Sequence, residues 1–260
     1  MDKRPIGVFD SGLGGVSVLK EALKQLPTEN YIYYGDNGNA PYGDKTEAEI
    51  HELSFACADA LVSMGVKAIL IGCNTATATA IRDIRSRLSI PVVSIEPAIK
   101  PACMTPGNGK IIMMATLATT RLERYHKLQR SMPDPERVIN VACPGIVERI
   151  ESGVFDANSF DDLFERYFSP YEDMRVDGIV LGCTHYVFIK DAVRQYAAKH
   201  FQGDCTLYDG NLGTAKQLKR VLAANDLLNT DGSGEVKFCT SAEYDAVYPL
   251  FKMLMERKTE

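Results

Sequence analysis

Short, nearly unbroken apolar runs alternate with longer amphipathic stretches along the whole chain. "PIGVFD" (5–10), "NYIYYGD" (30–36), "KAILIG" (67–72) and "PVVSI" (91–95) form a first series of predicted strands. "KIIMMA" (110–115), "RVINVA" (137–142), "GIVLG" (178–182), "CTLYD" (205–209) and "EVKFC" (235–239) continue it. Helices are predicted over "VSVLKEALKQL", from about Thr46 to Met64, over 76–88, 119–131 and 212–224, and at the C-terminus. Continuous apolar strands alternating with helices imply parallel sheets buried on both faces, an α/β protein.

Two strand ends look alike. "AILIGCNTAT" (68–77) and "GIVLGCTHYV" (178–187) are apolar runs ending in Gly-Cys, and they place Cys73 and Cys183 in different halves. A weaker echo pairs "IGVFDSGLGG" with "IIMMATLATT", each a strand running into a small, hydroxyl-bearing loop. "TPGNG" (105–109) is the richest turn signal and a candidate boundary between two halves. All these motifs occupy loops after predicted strands, where parallel α/β sheets bind ligands.

Composition narrows the classes. The chain has 260 residues, 45% of them hydrophobic, enough for one large domain or two small ones. A net charge of −5 argues against a nucleic-acid partner. No apolar run is long enough for a membrane span, and "MDKRPIGVFD" does not read as a signal peptide, so a cytoplasmic location is expected. Seven cysteines without a CxxC pair are then expected as reduced thiols, most of them buried hydrophobes.

The candidate chemistry lies in the loops. In "DSGLGG" (10–15), backbone N–H groups at a helix start offer an anion site. A dinucleotide fingerprint is the rival, weakened because Ser17 stands where a third glycine-like residue belongs. A helix N-terminus would lower the pKa of Cys73 or Cys183, and His185 shares a loop with the latter. Metal binding by Cys73, Cys183 and His185 is a second reading, though Cys-x-His is not a usual zinc spacing. A cysteine hydrolase is a third, and it leaves one thiol without a role. "APYGDK" (40–45) is a turn that presents Tyr42 and Gly43. Thr116 and Thr119 read by default as helix-capping hydroxyls, and Glu148 and Glu151 as surface carboxylates.

Taken together, "IGVFDSGLGG", "PYGDK", "GCNTATA", "SIEPAIKPA", "ATLATT", "VERIESG", "GCTHY" and "LYDG" resemble the aspartate/glutamate racemase superfamily, in order and over essentially the whole chain. The resemblance implies two pseudo-symmetric parallel-sheet α/β domains with the active site between them. One would combine 1–97 with 210–260, and the other would span 98–209. It implies cofactor-independent racemisation of glutamate by the two thiols, Cys73 and Cys183, with Asp10 beside the first and Glu151 and His185 beside the second. It further implies that Asp10, Ser11, Tyr42, Gly43, Asn74, Thr75, Thr116, Thr119, Thr184 and His185 hold the amino acid. No metal is implied. A homodimer and a role in peptidoglycan synthesis come with the resemblance. A racemase for aspartate or another amino acid, or a non-catalytic amino-acid-binding protein, is the alternative. The chain departs from the family pattern at Val187 and Phe188 after "GCTHY", at Ala115, at Leu122 and in "DGNLG", which bears on pocket shape.

Overall fold

The computed structural model describes residues 1–259. Nine strands form two parallel sheets among the described residues. The first contains β1 (Ile6–Asp10), β2 (Tyr31–Gly35), β3 (Ala68–Ile71) and β4 (Val92–Ser94), joined at one edge by a strand from far along the chain. The second contains β5 (Lys110–Ala115), β6 (Val138–Ala142), β7 (Val176–Leu181) and β8 (Thr206–Tyr208). The late edge strand is β9 (Val236–Thr240), and the first sheet runs β4-β3-β1-β2-β9. The second runs β6-β5-β7-β8, so both repeat one connectivity, with β9 added to the first.

The apolar runs became strands because helices cover both faces of each sheet. Every residue of β1 and of β3 is buried. The helix Glu47–Ser63 begins at a capping box in which Thr46 and Glu49 satisfy each other's backbone N–H groups. One expectation is corrected: the helix predicted over 119–131 is two, Leu117–Arg121 and Glu123–Arg130. Leu122 between them has an extended backbone (φ −76°, ψ 129°) and interrupts the helical hydrogen bonding.

The repeat extends to single hydrogen bonds. Gly72 N–H donates to Phe9 O in the first sheet, and Gly182 N–H donates to Met114 O in the second, both at 2.8 Å. Asp36 N–H to Asp10 O and Cys143 N–H to Ala115 O form a second matched pair. The two Gly-Cys strand ends therefore leave equivalent strands at equivalent heights. A Cβ on Gly182 would lie 2.6 Å from Met114 O, so only glycine permits this approach before Cys183.

Candidate active site

Both thiols line one cleft between the two sheets. Cys73 caps the helix Asn74–Arg87, where its Sγ accepts Ala76 N–H at 3.4 Å and lies 3.5 Å from Ser11 Oγ. Cys183 begins a different kind of turn, the 3-10 segment Thr184–Ile189, and makes no capping bond. Its Sγ lies 3.7 Å from His185 Nδ1. The other side of that ring, Nε2, is 2.6 Å from Glu151 Oε1. Ser11, Tyr42, Gly43, Asn74, Thr75, Thr116, Thr184 and His185 line it as well, together with Cys143, Val147 and Glu148, whereas Asp10 and Thr119 of the expected set do not.

The glycine-rich loop after β1 does not cradle a ligand phosphate. Gly12 N–H donates to Asp10 Oδ1 at 2.9 Å, and Leu13 N–H donates to Glu151 Oε1 at 2.8 Å, so the anions it binds are the protein's own carboxylates. A Cβ on Gly14 would fall 2.3 Å from His185 Nδ1 and 2.4 Å from Thr184 Oγ1. These glycines let one half press its backbone against Glu151, Thr184 and His185 of the other. The dinucleotide reading fails at its acidic residue as well, because Asp36 accepts the Tyr42 hydroxyl at 2.5 Å and Asn39 Nδ2 at 2.9 Å.

The two halves share further bonds. Thr184 donates its hydroxyl to Asp10 Oδ2 at 3.1 Å, and Ser17 donates to Thr184 O at 3.1 Å. On the far wall, Thr75 and Thr116 form a triangle of hydroxyls with Thr119 behind them, with sides of 3.0 to 3.2 Å. Thr116 also caps its helix by accepting Thr119 N–H, so capping and cleft lining coexist in one side chain. The Tyr42 hydroxyl is committed to Asp36, which leaves its ring and backbone to face the cleft. Glu151 is not the surface carboxylate that its sequence context suggested.

Burial sets the electrostatics. It pushes the Cys73 thiol up to about 12, with the Asp10 charge acting in the same direction. The helix terminus therefore does not make Cys73 acidic, because one weak N–H bond is outweighed by desolvation and a like charge. Burial also raises Asp10, opposed by His185 and the Gly12 N–H. For His185, burial works downward, but Cys183 and Glu151 on its two nitrogens hold it well above the ordinary histidine range. Glu151 lies below the usual carboxylate range: burial would raise it, and His185 and the Leu13 N–H more than offset that.

Among the described residues, no three His, Cys, Asp or Glu side chains converge in a way that could hold a metal ion, so the Cys73–Cys183–His185 metal set does not form. No helix among them is long and apolar enough to cross a membrane. A larger cavity, about 550 Å³, lies between the helices Asn74–Arg87 and Glu123–Arg130. It shares Asn74 with the thiol cleft, but neither thiol lines it. Both thiols line the narrower cleft, whose free volume is only about 30 Å³.

Residues 6–218 match the family model described as Asp/Glu/Hydantoin racemase. A glutamate racemase of Clostridium perfringens is 42% identical over 256 residues, covering 98% of this chain and 97% of the relative. The crystal structure of Francisella tularensis glutamate racemase in complex with D-glutamate superposes with a TM-score of 0.85 at 30% identity, covering 100% of this chain and 96% of that one. The Escherichia coli glutamate racemase in complex with L-glutamate and the activator UDP-MurNAc-Ala superposes with a TM-score of 0.83 at 26% identity, covering 96% and 95%. Fold and site thus define an isomerase of the amino-acid racemase class. The chain belongs to the Asp/Glu/Hydantoin racemase family.

Proposed function

We propose that this chain interconverts L- and D-glutamate without a cofactor, using Cys73 and Cys183 as the two acid/base groups on opposite faces of the substrate Cα. The observation that carries the reading is the repeated Gly-Cys strand end, which brings one thiol from each sheet to a single cleft. Glutamate as substrate is supported by the relatives named above and by the D- and L-glutamate complexes of two of them.

In each direction, one sulfur removes the α-proton as thiolate while the other delivers a proton from the opposite side as thiol. Cys183 is equipped as a base by His185, whose protonated ring donates to both its sulfur and Glu151. Cys73, held as a thiol by burial, is equipped as the acid in the resting protein. Asp10, also raised by burial, sits next to Ser11 and can exchange a proton on that side. If the α-proton lies on the order of ten pKa units above a thiol, transfer costs roughly 14 kcal/mol. The buried hydroxyls of Ser11, Thr75 and Thr184, with Asn74, supply preorganised donors for the substrate carboxylate, and these offset part of the cost.

A cleft of this volume is far below the usual ligand pocket, so substrate entry requires the halves to part. The bonds broken would be Thr184–Asp10, Leu13–Glu151 and the threonine triangle. The moving units are 1–97 with 210–260 and 98–209. A homodimer and supply of D-glutamate for peptidoglycan belong to the same proposal and rest on the family resemblance, and a cytoplasmic location belongs to it on the sequence reading. The test is to incubate purified protein with L-glutamate, with no cofactor added, and follow optical rotation. Decay toward zero rotation is expected. Unchanged rotation rejects the reading, and equal turnover of aspartate rejects only the choice of substrate.

A further inference from the structure

One side chain outside the cleft reaches the Cys183 relay from the opposite half of the molecule. Asn37 lies in the turn after β2, and its Nδ2 donates to Glu151 Oε2 at 3.5 Å, the long end of the hydrogen-bonding range. The other oxygen, Oε1, carries the Leu13 N–H and His185. The Asn37 amide is not free to turn over. Thr240, at the end of β9, donates its hydroxyl to Asn37 Oδ1 at 3.1 Å, and that hydroxyl accepts Ala242 N–H at 3.1 Å. With Oδ1 taken, Nδ2 is left facing the carboxylate. An ordered chain of donors thus runs from Ala242 through Thr240 and Asn37 to Glu151, whose other oxygen accepts from His185, and the far nitrogen of that ring faces the sulfur. Neither Asn37 nor Thr240 lines the cleft that holds the thiols.

We propose that Asn37 is a positioning residue for proton transfer at Cys183, acting through Glu151 and His185, with Thr240 setting the orientation of its amide. The inference rests on the two-thiol reading above. Glu151 holds His185 in register only as a carboxylate with a fixed plane. A donor on its second oxygen favours the charged form and resists rotation about the carboxylate axis. Loss of that donor leaves Cys183 in the cleft and loosens the His185 ring that donates to its sulfur.

The test uses purified full-length protein and α-deuterated L- and D-glutamate. Slowing the step at Cys183 enlarges the isotope effect for the enantiomer deprotonated there and reduces it for the other. Asn37→Ala should show that split, with kcat lower by about tenfold, the kinetic equivalent of one weakened bond to a charged group, and KM within about twofold. Thr240→Val should shift the isotope effects in the same sense by less. In a Glu151→Gln background, Asn37→Ala should add no further loss, because its route to the sulfur is already cut. Equal movement of both isotope effects, an undiminished loss in that background, or wild-type behaviour of Asn37→Ala overturns the proposal. If circular dichroism shows Asn37→Ala unfolded, the split in Thr240→Val decides alone. Wild-type protein that releases no α-deuterium from either enantiomer rejects the two-thiol reading instead.

Discussion

Leu13 and Glu151 stand 138 positions apart, and the backbone N–H of the first donates to the carboxylate of the second at 2.8 Å. That carboxylate also holds His185, so the group that orients the second thiol is completed by the loop following β1.

The two thiols are expected to be individually indispensable. On the two-thiol proposal, Cys73→Ala and Cys183→Ala should each lower racemisation by at least about a thousandfold, since each would remove the proton carrier of one face, and general acid–base groups are worth that order. Far-ultraviolet circular dichroism should be unchanged. Cys103 and Cys239 lie away from the cleft, and their alanine variants should keep near-normal rates.

Gly14→Ala isolates the close approach of the two halves. The new methyl would overlap His185 Nδ1 and Thr184 Oγ1, so the ring must move. A displacement near an ångström should cost about a hundredfold in turnover. Gly213, whose Cβ direction is open, is the control: Gly213→Ala should leave kcat untouched and slightly raise the melting temperature.

The His185–Glu151 pair should give stability a defined pH window. His185 is raised by folding, so its contribution is complete below the unfolded value of about 6.5 and declines as pH rises toward the folded value. Glu151 is lowered by folding, so its contribution is present above about 4.3 and is lost as pH falls through the folded value. The melting-temperature deficit of His185→Asn should therefore be largest near pH 6 and shrink in alkaline buffer. A deficit that grows with pH would contradict this sign.

At the opposite end of the first sheet, Lys67 and Glu29 form an ion pair at 2.5 Å with both side chains fully buried. Lys67 also donates to Asp2 O, and Glu29 accepts Asn229 N–H, so the pair ties the start of the chain to the segment before β9. Lys67→Met should destabilise by about 3–5 kcal/mol, because it strands a buried carboxylate. Lys67→Met with Glu29→Gln should recover part of that loss. Urea denaturation of the three proteins measures both.

Isotope labelling tests the division of labour between the sulfurs. Starting from one enantiomer in deuterated water, early product should carry deuterium at Cα while remaining substrate stays almost unlabelled. Each thiol carries one proton, so the base that removes it does not supply the one that replaces it. Proton NMR after chiral separation at low conversion reads both pools. Equal early label in the two would require a single polyprotic base.

The strands, their burial and the twin Gly-Cys ends were written in the sequence, because apolar continuity and a repeated local pattern are short-range properties. The alternation read from "KAILIG" and "GIVLG" corresponds to β3 and β7, and the two cysteines do leave matching strands. What the sequence could not carry was which distant groups meet. Asn37 carried no reading of its own, and Glu151 read from its neighbours as a surface carboxylate and was set beside His185 only by the family resemblance, because nothing within a few residues of either marks the partner more than 100 positions away. The glycines of "DSGLGG" had a local explanation as an anion-binding turn, and only the packing of the halves turned them into a seat for His185. The pKa of Cys73 was misjudged for the same reason. A helix terminus is visible in sequence, but the Asp10 charge that opposes it arrives only when β1 pairs with β3, and the desolvation only when the thiol is buried in the folded protein.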